Sequence, residues 1–399
     1  MTRVQLSTRE FSLDELQAEP AKFSHWFERA RAESGEATCL CRSPGPGLRL
    51  VIRRRDGLFH LAGWPLDGES HRVFCFFHKT PHQWSGRGQY ADGAFKEKAD
   101  GSIDIKTQLP LKIRTGERAP ARQHTPANGE TRERPKAVGL LGVLHDLWEG
   151  ASLNRWSSGW SRNWSRCRWQ LQQLERRVDG VALQDCLHVV QAWEPERKAQ
   201  IEAGMASFRS RLVEARGFRH RGFVLGELKR YVPTTHGFRI ELRNQKVAYF
   251  ASKELIDATE KSARAVMAAR ENPDARTIVL MMIDQTDAGY LRVVDMALML
   301  TTRTYIPCES SFELQMADAL VAAGRSFTKP LRYDGVAETF PDFRLVDTDP
   351  HSVVEVYGMI GNPAYDKRKA EKQSAYRASR TPVIAWDTRQ PLPDLRLRH

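Results

Sequence analysis

Residues 352–357 read Ser-Val-Val-Glu-Val-Tyr, so Glu355 interrupts an apolar run with the composition of a strand buried on both faces. A lone carboxylate in such a place is strongly unfavourable unless it is paired or binds a metal. The flanking pattern places this strand in a larger unit. Periodicity predicts a helix over 311–323, with Phe312, Met316, Ala319 and Leu320 on one face. Strands follow over 326–332, 339–347 and 351–357, then a helix over 363–379 and a last buried strand over 382–387. The order is α-β-β-β-α-β.

Pro341-Asp342 lies on the second of these strands and Glu355 on the third, thirteen residues on. On adjacent antiparallel strands their side chains can converge at one end of the sheet. Two carboxylates suit a hard cation such as Mg²⁺ or Mn²⁺. With this element order, the segment resembles the PD-(D/E)XK nuclease superfamily. The resemblance implies that Asp342 and Glu355 hold a catalytic metal that orients and acidifies a water for in-line attack on a phosphodiester. It also implies an accessory acidic ligand, Glu313, on the preceding helix. Glu313 fits equally a capping box with Ser310. One position departs from the motif: Tyr357 stands where the superfamily places its catalytic lysine. Some members move that lysine to the following helix. Here Tyr365, Lys369, Lys372 and Tyr376 share a face at offsets of four, three and four. Lys372 or Lys369 can then supply the charge, with Arg368 beside them as a nucleic-acid contact. The plainer readings are a turn acid at Asp342, a surface strand residue at Glu355 and a solvated helix face at 367–369.

Six cysteines are present, and three cluster early in the chain. Cys39-x-Cys41 and Cys75-x-x-His78 are close pairs bracketing a hairpin signalled by Asp56-Gly57. Tetrahedral zinc takes four such N/S ligands from two turns. A structural zinc ion on Cys39, Cys41, Cys75 and His78 is expected, with His60 or His71 as substitutes for His78. The remaining cysteines, Cys167, Cys186 and Cys308, read as small buried hydrophobes.

Lys and Arg number 61 against 49 Asp and Glu, a net charge of +12, which points to a polyanionic partner, most often nucleic acid. Residues 154–170, NRWSSGWSRNWSRCRWQ, interleave four tryptophans with arginines. The tryptophans at helical spacing read as core, leaving Arg162, Arg166 and Arg168 on an exposed face that can meet DNA. Gly159 marks a turn between helices, which also fits a winged-helix-like reader. No apolar run approaches the ~18 residues of a membrane span. The polar first residues suggest no secretion signal, so a cytoplasmic, reducing location is expected.

The fold class expected is α+β and multidomain. Residues 1–113 form a small β-rich, zinc-ribbon-like module. Residues 114–136, without Val, Ile, Leu, Met, Phe, Tyr or Trp, form a linker. Residues 137–215 form a helical module, with helices over 137–148, 163–177 and 181–193. Residues 216–308 lead through further strands into a nuclease core at 309–399. Cys39, Cys41 and Cys75, with LRVVDMALML, IPCESSFE, RSFTKPLRYD and ETFPDFRLVDTDP, also make the whole chain resemble an uncharacterised bacterial family found on mobile elements. The function expected is a DNA-binding, metal-dependent nuclease. A non-catalytic DNA-binding scaffold, kept open by Tyr357, and an RNA-processing factor are the alternatives.

Overall fold

The computed structural model describes every residue except 1, 56, 65–66, 73–74, 80–84, 91–92, 99–101, 116–135, 216, 334–339, 359–362 and 397–399. The expected linker therefore lies almost wholly outside the described residues. Contacts divide the chain into two units, Met1–Pro81 with Glu97–Ser102, and His82–Lys96 with Ile103–His399.

The first unit is built on a five-stranded antiparallel sheet in the order Arg9–Ser12, Arg3–Leu6, Glu36–Cys39, Leu48–Arg55, Leu58–Gly63. Gly57, with φ of 81°, turns the last hairpin in the left-handed region that glycine tolerates best. Alternation puts Ala37 and Cys39 on the buried face, where Val4, Leu6 and Leu50 also lie. The helix Ser24–Glu33 covers them, and Phe27 stacks on Phe59 at 5.5 Å. Residues 75–77 form a turn. The Cys75 amide donates to the Arg72 carbonyl at 2.8 Å and the His78 amide to the Cys75 carbonyl at 3.1 Å.

In the second unit, five strands close on themselves. Gly222–Thr234, Gly237–Leu242 and Tyr249–Ala251 form an antiparallel meander. Tyr249–Ala251 pairs in parallel with Leu291–Thr302. That strand pairs antiparallel with Ala275–Gln285, which returns to Gly222–Thr234 and completes a small barrel. The helices Lys253–Ser262 and Arg264–Ala268 lie between the third and fourth strands in the chain. The first strand is long and carries a register shift between Leu228 and Arg230, a bulge that bends it around the closing edge. Gly237 (φ 142°) has no room for a side chain, because a Cβ would lie 2.3 Å from the Ala251 carbonyl oxygen.

Beyond the barrel lies a second five-stranded sheet, in the order Val383–Asp387, Val353–Tyr357, Phe343–Leu345, Phe327–Thr328, Arg155–Trp156. Its first pair is parallel and the others antiparallel. From Ser311 the chain runs helix (Ser311–Ala322), three strands, helix (Pro363–Ala378), strand. Buried Leu314, Met316 and Leu320 of the first helix join Phe327, Phe343 and Val354 of this sheet and barrel-interior Val224, Ile240 and Leu298 in one apolar cluster.

Two expectations for 137–215 are corrected. Arg155–Trp156 is an edge strand of the C-terminal sheet, so the tryptophan-rich stretch is not part of a free-standing helical reader. Residues 181–193 are not one helix: Leu187–Val189 pairs in parallel with Phe223, Val224 and Leu225, because its β-branched and apolar side chains complete a sheet edge. The helix Leu140–Gly150 does form. Its Asp146 is fully buried between Arg87 and Arg176, whose Nε donates at 2.8 Å. Replacing Asp146 by Ala leaves two cations without their shared anion. Chemical denaturation should show a loss of about 3–5 kcal/mol, the usual cost of halving a buried ion pair.

Candidate functional site

Two clusters gather chemistry-bearing side chains. In the first unit, Cys39 ends its strand facing inward, and Cys41 lies two residues on. The turn after the hairpin brings in His71 and Cys75, spaced four apart. Cys39 Sγ lies 3.4 Å from Cys75 Sγ, and His71 Nδ1 lies 3.5 Å from both Cys41 Sγ and Cys75 Sγ. The four ligand atoms all fall within 4.8 Å of one another. A tetrahedron with Zn–S arms of ~2.3 Å has edges of ~3.8 Å, so the cluster could hold a metal ion without large rearrangement. His71, not His78, is the histidine brought to the sulfurs. His78 instead directs its Nδ1 to the His71 carbonyl, 3.0 Å away. Hydrogen bonding between neighbouring sulfurs, reinforced by burial, pushes the thiols of Cys41 and Cys75 up to about 12. A cation would have to displace their protons, as thiolate-binding metals do.

The second cluster lies on the C-terminal sheet. Glu355 is 2% exposed, which is why its partners matter. From the helix Pro363–Ala378, Lys372 Nζ donates to both of its carboxylate oxygens, at 3.0 and 3.1 Å, and to the Phe340 carbonyl at 2.6 Å. Tyr376 donates its hydroxyl to Glu355 Oε1 at 2.6 Å. Asp342, on the neighbouring strand's approach, accepts the Val356 amide at 2.7 Å and faces an Arg332 guanidinium nitrogen at 3.4 Å. Burial, then the charge of Asp342, raises the Glu355 carboxyl above its usual range. Lys369 lies 4.0 Å from the centre of the Tyr357 ring and not on the carboxylates. The Arg368 side chain lies outside the described residues.

Glu313 is held by its surroundings. Its amide donates to the Ser310 hydroxyl at 3.0 Å, its carboxylate accepts the Glu309 amide at 2.9 Å, and it pairs with fully buried Lys329 at 2.9 Å. Burial lifts its carboxyl to about 7 against the pull of Lys329. Arg332 bridges Asp342 and Glu309, the latter at 3.1 Å. Lys329, Arg332 and Glu309 were not anticipated. Lys329, set between Thr328 and Pro330 with Arg325 and Arg332 nearby, does not interrupt an apolar run as Glu355 does.

The arginines of the tryptophan stretch serve varied ends. Arg162 donates to the carbonyls of Leu153 (2.8 Å) and Arg155 (2.5 Å) and sits against Trp156 and Trp160, so its guanidinium clamps backbone and does not face outward. Arg168 donates to the Val189 carbonyl at 3.3 Å. Arg166 is exposed, with its amide capped by Asn163. Trp164 is buried and donates to the Val190 carbonyl at 2.6 Å. No helix among the described residues is long and apolar enough to cross a membrane.

No curated protein and no solved structure matches the chain. A family described as a protein of unknown function (DUF1173) matches residues 11–389, nearly the whole length, and the chain belongs to that family.

Proposed function

We propose that the C-terminal sheet is the core of a divalent-cation-dependent nuclease of PD-(D/E)XK type acting on DNA, and that the thiol cluster holds a structural zinc ion. The observation that carries the nuclease reading is Lys372. It comes from the helix after the Glu355 strand and reaches both oxygens of Glu355, in the position of a lysine displaced from the Tyr357 site. The helix–three strands–helix–strand order and the Asp342–Val356 link between neighbouring strands support it.

Asp342 and Glu355 are hard oxygen donors whose mutual repulsion a cation would relieve, so they fit Mg²⁺ or Mn²⁺. Such a cation supplies acidification of a bound water and neutralisation of phosphate charge. Lys372 would steady the attacking oxygen as its water loses a proton and help neutralise the charge that grows on the phosphoryl oxygens. In hydrolysis that oxygen bonds to phosphorus, the bond to the leaving sugar oxygen breaks, and a proton passes from water to the leaving group. Arg332, with its side chain 29% exposed, stands at the rim as a cation for the phosphodiester. Glu313, locked to Lys329, would support the site from behind. Four protein ligands leave the zinc no open position, so its role is to tie the strand end to the turn.

A second reading is a non-catalytic nucleic-acid scaffold. It is favoured by Tyr357 and by the pairing of both carboxylates with the protein's own cations. Purified protein should cleave plasmid DNA, single-stranded DNA or RNA in Mg²⁺ or Mn²⁺ and not in EDTA. Asp342→Asn should abolish cleavage. Lys372→Ala should slow it ~10²-fold or more, as for other positioned charge stabilisers, while Lys369→Ala has little effect. A wild type inert on all three substrates would give the scaffold reading the advantage.

For zinc, elemental analysis of unchelated protein should find about one ion per chain, as one tetrahedral site requires. His71→Ala and Cys75→Ser should lose the metal while His78→Ala retains it. Zinc loss in the His78 variant alone would overturn the ligand set.

A further inference from the structure

The barrel has strand order 1-2-3-5-4-1, a parallel 3–5 pairing, and its helices between strands three and four. That is the topology of an OB-fold, whose strand 2–3 face and adjoining loops often serve as a platform for oligonucleotides. Fold alone assigns no ligand; the side chains on the surface do. Along that face, Arg239, Phe250 and Arg292 stand in one cross-strand row, Arg239 opposite Phe250 and Phe250 opposite Arg292. Their neighbours Ile240, Tyr249, Ala251 and Leu291 point into the barrel, so these three point outward. Tyr290, in the loop joining strands four and five, is 60% exposed and sets its ring edge-on to Phe250 at 5.6 Å. Most of the Tyr290 ring faces solvent, and it adjoins a second ring flanked by arginines. Beside this row lies a cleft with four cations, Lys229, Arg230, Arg239 and Lys246, against one carboxylate, Glu241. Glu241 accepts from Arg230 at 2.8 Å and from Arg239 at 2.6 Å, which fixes the two guanidinium groups in place.

We infer that this face binds single-stranded nucleic acid, with bases stacking on Phe250 and Tyr290 and the phosphate backbone following the basic cleft. Stacking needs bases free of a duplex, and aromatic rings take any base. Arginines beside the rings add cation–π attraction and phosphate contacts. The inference shares with the nuclease reading only the premise that the chain meets nucleic acid.

The test is fluorescence anisotropy of labelled oligo(dT) and of a blunt duplex of equal length, titrated with full-length zinc-replete protein in buffer without Mg²⁺ or Mn²⁺, so that nothing is cleaved and the zinc stays bound. Wild type should prefer the single strand, and its affinity should fall steeply with salt. Tyr290→Ala, at an exposed position that should not disturb folding, should weaken oligo(dT) binding about tenfold, and Tyr290→Phe should restore it. Phe250→Ala should act similarly, with thermal unfolding checked alongside. Lys229→Gln with Lys246→Gln should reduce the salt dependence. Unchanged binding in Tyr290→Ala, or a preference for duplex, would overturn the inference even if the protein proves to be a nuclease. Weakened binding in Tyr290→Ala supports it even if nothing is ever cleaved.

Discussion

Lys372 meets both oxygens of Glu355 where little water reaches either group. Neither charge would be tolerable there alone, and each fixes a different element, the Pro363–Ala378 helix and the Val353–Tyr357 strand. The same constraint repeats along the sheet: Lys329 answers Glu313, Arg332 bridges Glu309 and Asp342, and Arg325 forks onto Asp347 at 2.8 and 2.9 Å. Buried ion pairs contribute little net stability compared with apolar packing. They specify geometry instead, because each charge must meet one or two oppositely charged partners. The pairing gives each of these carboxylates a cation of the protein's own.

The apolar framework explains why the charges can be held so closely. The interior of the barrel and one face of the C-terminal sheet share a single cluster, with the Ser311–Ala322 helix between them. Glu309 and Glu313, at the start of that helix, are thereby positioned by the same core that closes the barrel. A nucleic-acid face on the barrel and a cleavage site on the sheet would belong to one compact unit and need no flexible tether.

Much of the C-terminal region was legible in the sequence because its signals are local. The helical offsets that put Lys372 and Tyr376 on one face hold in three dimensions, and both reach Glu355. Barrel closure was not legible, since it depends on the pairing of Gly222–Thr234 with Ala275–Gln285, far apart in sequence and set by register. Residues 187–189 read as helix because three residues of strand have no period to detect. His78 was favoured over His71 from the spacing of familiar zinc pairs, whereas the fold brings the earlier histidine to the sulfurs of Cys41 and Cys75. Arg162 looked exposed from its place among tryptophans, but its guanidinium turns inward to the carbonyls of Leu153 and Arg155.

The account turns on whether Asp342 and Glu355 accept a divalent cation in place of the protein's own cations. Titrating zinc-replete protein with Mn²⁺ and following free Mn²⁺ by electron paramagnetic resonance addresses this without any substrate. The account predicts saturable binding of about one Mn²⁺ per chain, as a single carboxylate-paired site would give, displaced by Mg²⁺ and lost in both Asp342→Asn and Glu355→Gln. Absence of saturable binding in the wild type, or binding that persists in both variants, would contradict it.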